Sequence, residues 1–191
     1  MRVNSLILMV SLLAGCGGGG GGAGSGGLTP DAIDESLGGL PISNPADLPA
    51  TGRAEYDGYM RARLPTGPDG ARVQYLGDLQ MDVNFGAGFD QIRGRATGFE
   101  AADTHTLDGA LTITNGAIYR DTNPDAAYSF DGDVDGTLSD ASGRYAIDAQ
   151  IEGEFLGTDQ RAVSGLLFGD VTGPAGLDIF DGTFAGTRRA N

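Results

Sequence analysis

The chain has 191 residues, and its 12 basic side chains, all of them arginine, stand against 26 acids for a formal net charge of −14. Such a field repels nucleic acid and anionic head groups, which excludes nucleic-acid binding. A single cysteine excludes an internal disulfide, while 40% apolar and 7% aromatic residues exceed what a disordered acidic chain carries and can fill one core.

Met1 to Cys16 opens with Arg2, runs apolar through Leu6, Ile7, Leu8, Met9, Val10, Leu12 and Leu13, and ends in small residues. That order is the order of an export signal, and the run is too short for a permanent membrane-spanning helix. Its end, Leu13-Ala14-Gly15-Cys16, resembles the lipobox of bacterial lipoproteins. The resemblance implies that residues 1–15 are a lipoprotein signal peptide and that Cys16 carries lipid, palmitate among its acyl chains. Two or three chains on one cysteine anchor firmly where one does not. Loss of Arg2 with the signal leaves 11 − 26 = −15 on side chains. Gly17, in place of an aspartate, implies an outer-membrane address, with the domain facing the periplasm or the cell surface. The alternative is an ordinary secretory signal with a chance cysteine.

Residues 17–27 are glycine but for Ala23 and Ser25, a composition that cannot pack and reads as a flexible tether. Four prolines, Pro30, Pro41, Pro45 and Pro49, extend the linker reading to residue 51, so that 16–51 is the expected tether. Within it Asp31 to Leu37 can form a short helix, with Thr29 as cap and Pro30 in the first turn. As a coil, such a linker spans roughly 30 to 35 Å and floats the domain clear of its membrane.

From Thr51 the pattern changes to period two, the mark of half-buried strands. Ala54, Tyr56, Gly58, Met60, Ala62 and Leu64 face one way, against Arg53, Glu55, Asp57, Tyr59, Arg61 and Arg63. After a turn at Pro65–Gly70, Val73, Tyr75, Leu79, Met81, Val83 and Phe85 alternate with polar residues. Weaker strands fit Ile92–Phe99 and Leu107–Tyr119, the latter interrupted at Asn115-Gly116, a dipeptide that favours a hairpin turn. A clear hairpin then sets Tyr128, Phe130, Val134 and Leu138 inward, turns at Asp140–Gly143, and returns through Tyr145, Ile147, Ala149, Ile151 and Phe155. Runs at Ala162–Gly169 and Asp178–Thr187 bring the count to about eight strands.

Eight consecutive antiparallel strands with one apolar face are best closed on themselves, which removes exposed edges and predicts an all-β, eight-stranded, soluble antiparallel barrel over 52–188. A two-sheet sandwich uses the same pattern. The apolar set must point inward, because the other face reads as charged along its length and could not sit in lipid. Glycines on the inner face, such as Gly58, Gly77, Gly132, Gly153 and Gly182, permit the coiling of a small barrel; the other reading is room for a ligand.

Several segments resemble the β-barrel domain of transferrin-binding protein B and related bacterial surface lipoproteins. They are Gly52-Arg-Ala-Glu-Tyr56-Asp-Gly58, Leu79-Gln-Met-Asp-Val83-Asn-Phe85-Gly86, Val163-Ser-Gly165-Leu-Leu-Phe168-Gly169 and Phe180-Asp-Gly182-Thr-Phe184-Ala-Gly186. Together they span residues 52 to 187. The resemblance implies a barrel fold, lipid anchoring and surface display; it carries over no binding residue.

Candidate chemistry is sparse. Asp131-Gly-Asp133-Val-Asp135-Gly136 has the first half of a calcium loop, but its twelfth position is Ser142 and not a bidentate glutamate. On a strand those carboxylates stand about 7 Å apart, too far to share an ion. His105 is the single histidine, and no serine or cysteine arrangement suggests a nucleophile pair. Glu152 and Glu154 share a strand face and could pair as acid and base, although nothing sets them apart from surface charge. Arg61, Arg63, Arg93 and Arg95 cluster on outward faces, either as a basic patch for an acidic partner or, more simply, in cross-strand pairs with carboxylates such as Asp78 and Asp82. The expectation is therefore no catalytic residue, no metal, no cofactor, and lipidation at Cys16. The function read from this is a non-enzymatic, lipid-anchored binding module with an unknown protein or small-molecule partner, the alternative being a lipocalin-like carrier in the barrel interior.

Overall fold

The period-two runs become eight strands in the computed structural model, which describes residues 29–190; the signal, Cys16 and the glycine tract lie outside the described residues. The strands are β1 (Arg53–Leu64), β2 (Val73–Asn84), β3 (Ile92–Ala101), β4 (Thr106–Ile118), β5 (Phe130–Ser139), β6 (Arg144–Leu156), β7 (Ala162–Gly173) and β8 (Gly176–Arg188). Each pairs antiparallel with its sequence neighbours, and β1 pairs with β8 through Gly58↔Gly186 and Met60↔Phe184, so the sheet closes into a barrel. The sandwich alternative is thereby excluded.

The expected inward set fills the interior. Tyr56, Tyr75, Phe99, Phe130, Phe155, Phe180 and Phe184 are all fully buried. Phe155 sits 5.0 Å from Phe130 and 5.4 Å from Phe85 between ring centroids, in tilted pairs that add to plain area burial. The inner glycines make space for these rings, which decides between the two readings given to them: a Cβ at Gly153 would lie 2.4 Å from Phe130 and 2.6 Å from Phe184.

Four expectations are corrected. Asn115-Gly116 makes no hairpin: β4 runs through it with a bulge between Thr114 and Ala117. Asn115 takes the left-handed conformation there (φ 56°), its N–H donating to Asp90 Oδ1 and its amide to Asp133. An asparagine tolerates that conformation without ending a strand. Tyr128 stays half-buried in the loop ahead of β5 and does not enter the core row.

The third correction concerns the linker. From Thr29 onward it lies on the barrel. Helix α1 (Pro30–Leu37), capped by the Thr29 hydroxyl, seats Ile33 against Tyr59 and Ala185 on the outside of β1 and β8. Farther along, Ile42 bridges Leu156, the Ser43 N–H donates to the Phe155 carbonyl, and Leu48 joins the core cluster. Burial of one such aliphatic side chain contributes about 1.5–3 kcal/mol. The fourth correction is that the outer face is not charged along its whole length, since β7 and β8 present apolar side chains outward.

The ring packing sets a test. Gly153→Ala should destabilise the fold by about 1–3 kcal/mol, because the added methyl has no free volume to enter. Urea unfolding should show a lower midpoint at unchanged slope; an unaltered midpoint would mean that the interior has room to spare.

Candidate functional site

Two sets of loops close the barrel, and each is held by polar contacts. At the end carrying the β2–β3, β4–β5 and β6–β7 loops, the Arg120 guanidinium donates to the carbonyls of Leu48, Pro49 and Phe85 at 2.8, 2.7 and 2.7 Å. It fastens the linker across that opening. The Tyr56 hydroxyl donates to the Gln160 carbonyl from inside.

At the opposite end His105 is a strap. Its Nδ1 is 2.8 Å from the Tyr75 hydroxyl and its Nε2 is 3.1 Å from Asp140 Oδ2, while Thr66 Oγ1 lies 2.7 Å from the same tyrosine oxygen. The imidazole thus bonds to Tyr75 beside the β1–β2 loop and lies against the buried Asp140 carboxylate of the β5–β6 turn, whose Oδ2 has no hydrogen-bond partner. Burial raises the Tyr75 hydroxyl above its ordinary range. The contacts of His105 join loops.

The remaining sequence candidates fall apart as chemistry. Asp131, Asp133 and Asp135 lie along the outside of β5, and Ser142 belongs to the separate Asp140 turn, where its N–H donates to Asp140 Oδ1 at 2.8 Å. Among the described residues no three His, Cys, Asp or Glu side chains gather closely enough to hold a metal ion. No helix among them is long and apolar enough to cross a membrane, which says nothing of strands.

The arginines pair differently from the expectation. Arg61 bonds Asp34 of α1 at 2.8 Å and stacks on Tyr59 at 4.2 Å. Arg63 and Arg72 converge on Asp181, and Arg93 reaches Asp90 at 2.5 Å. Asp78 and Asp82 are not the partners, because the helix and loops bring other carboxylates closer than the facing strand does. Burial, with the hydrogen bond to Asp34, pushes the Tyr59 hydroxyl up to about 12. On Asp34 burial acts upward but is outweighed by the Tyr59 and Arg61 donors, so its carboxyl stays below the usual range. The Arg61 site is therefore the seam that fastens α1, rather than a free basic patch.

Glu154 departs from the surface reading. Only 7% of it is exposed, and its Oε2 has no hydrogen-bond partner. Burial drives its carboxyl above the ordinary range, offset in part by Ser129. Glu152, two residues away on the same face of β6, is only half-buried, so the two carboxylates sit in different surroundings.

Sequence reading missed the outward residues of β7 and β8. Leu177 is 72% exposed, Ile179 61%, Leu166 43% and Phe168 40%. A signal was present: from Ala162 to Gly169 every residue but Ser164 is apolar or glycine, so that strand has no polar phase to face water.

No protein-family model matches the sequence. A search of curated proteins finds none that matches. Among solved structures, the chain is similar to a crystal structure of the vaccine antigen transferrin binding protein B from Haemophilus parasuis Hp5, a single-site mutant, at 14% identity and a TM-score of 0.45. The match covers 78% of this chain and 29% of that one, so the chain spans less than a third of the length of that protein. The resemblance noted over residues 52 to 187 thus recurs as a distant likeness in three dimensions.

The buried glutamate gives a pH test. Its folded carboxyl holds a proton more tightly than the unfolded one, so its burial destabilises the fold at neutral pH and the deficit fades as pH falls toward the ordinary 4.5. Glu154→Gln should raise the urea midpoint at pH 7, with the gain over wild type shrinking as the medium is acidified toward that value. A gain that grows on acidification would contradict the assignment.

Proposed function

We propose that this chain is a lipid-anchored, non-enzymatic recognition module, held at the outer membrane through Cys16 and acting by the outside of its barrel. The observation that carries the reading is the filled interior. Seven aromatic rings at 1% exposure or less, and glycines whose hydrogens already touch those rings, give a small ligand no volume to occupy; carriers of that kind need a cavity of roughly 300 Å³ or more. What the barrel offers a partner is its surface.

The anchoring half of the reading rests on the Leu13-Ala14-Gly15-Cys16 sequence and on the firm hold of multiple acyl chains. Residues 29–51 are seated on the barrel, and the glycine tract lies between them and Cys16 in the sequence.

Cys16→Ser should abolish incorporation of labelled palmitate in a lipoprotein-competent bacterium and move the protein from the membrane to the soluble fraction. Retention of label in the variant would end the lipid-anchor reading. External protease on intact cells should then separate surface display, in which the barrel is removed, from a periplasmic orientation, in which it is protected. Native mass spectrometry of the purified protein should give the mass of the lipidated chain alone; a stoichiometric small molecule released on unfolding would restore the carrier.

A further inference from the structure

We propose that the outer face of β7 and β8, with the carboxylates beside it on β5 and β6, is a docking surface for a cationic amphipathic helix of a protein partner. The inference rests on the recognition reading above and names the surface and the chemistry of what it binds.

The strand register assembles the surface. Leu166 stands opposite Thr183, Phe168 opposite Asp181, Asp170 opposite Ile179, and Thr172 opposite Leu177. The four large apolar side chains therefore run diagonally over two neighbouring strands. From Leu177 to the level of Thr183 the strand advances about 20 Å, the length of roughly 14 helical residues. Adjoining this stripe along β8, the same outer face already takes a helix: α1 lays Ile33 on Ala185 and Tyr59, and its Asp34 bonds Arg61, which pairs in register with Thr183. The stripe thus borders a part of the outer face on which the chain already seats a helix.

The partner's charge follows from the other border. Across β5, β6 and β7 the register sets Asp135 opposite Asp148 and Asp148 opposite Asp170, and it sets Asp131 opposite Glu152, with Leu166 next in the row. Like charges directly opposed on adjacent strands repel. Among the described residues none of these five carboxylates has an ion-pair partner, whereas Asp181 at the far border is matched by Arg63 and Arg72. The stripe is thus apolar in the middle and uncompensated on one side only. A second copy of this chain, which has no lysine and a net charge of −14, would bring carboxylates against carboxylates. An anionic bilayer would be repelled in the same way. A helix with leucine-like residues on one face and lysine or arginine along its flank satisfies both borders.

The test titrates the full chain, carried in phosphatidylcholine nanodiscs, with a labelled helix of about 14 leucine and lysine residues, against empty discs and against the same helix with glutamate in place of lysine. The lysine helix should bind and the glutamate helix should not. Phe168→Ser combined with Ile179→Ser should weaken binding about tenfold or more at an unchanged thermal midpoint. Asp148→Asn combined with Asp170→Asn should weaken it several-fold and flatten its salt dependence. Equal binding of the glutamate helix, or indifference to the Phe168 and Ile179 substitutions, would overturn the proposal. So would self-association of the wild type that the same substitutions abolish, since a second copy would then cover the stripe. Phosphatidylcholine-vesicle binding by the Cys16→Ser chain, lost on those substitutions, would assign the stripe to a bilayer instead. Failure of the recognition reading shows up separately, in the small molecule released on unfolding, and failure of the anchor in palmitate labelling.

Discussion

Closure of the sheet at the β1–β8 seam is the constraint on which the rest depends. A Cβ at Gly58 would lie 1.9 Å from the Ala185 carbonyl oxygen and one at Gly182 would lie 2.1 Å from that of Arg61. Only glycine lets the first and last strands approach closely enough to pair there, and without that pairing both would be open edges. Closure then defines a single inside, and the inside is just wide enough for side chains to fill. Phe130, Phe155 and Phe184 meet in it because Gly153 stands back.

The two ends illustrate how a barrel so short in regular connections is kept shut. One end uses an arginine whose three bonds all go to carbonyls, so it holds the linker by donor geometry rather than by ion pairing. The other uses one imidazole between a tyrosine hydroxyl and a carboxylate. Both devices join segments distant in sequence. The single histidine of the chain is occupied in holding loops.

The linker belongs to the folded domain from Thr29 onward. With α1 and Pro41–Pro49 seated on the barrel, the outer surface is divided: part is covered by the chain's own helix, and part, on β7 and β8, is left apolar and exposed. The same division explains the arginines. Arg61 turns from a candidate basic patch into the clamp on α1, and Arg63 with Arg72 neutralises Asp181. The uncompensated charge is then concentrated on β5 to β7, where acidic side chains face one another in register.

Strand number, strand phase and the inward set were legible from local alternation, because a half-buried strand must separate its two faces every second residue. Ala54 to Leu64, Val73 to Phe85 and Tyr145 to Phe155 were read correctly for that reason, and Thr29-Pro30 marked the start of α1 by cap chemistry alone. The Asn115-Gly116 turn was misread because a left-handed residue serves a bulge as well as a hairpin, and only the neighbouring Asp90 and Asp133 decide which. The β7–β8 stripe escaped notice because a strand apolar on both faces has no phase to read. Burial of Glu154 and the partners of the arginines depend on loops and on a helix that pack from elsewhere in the chain. What the sequence determined by itself is therefore the period of each strand and the identity of its core face, which are local properties. What only the tertiary structure decided is which outward side chains meet, since that depends on register between strands and on where the linker comes to rest.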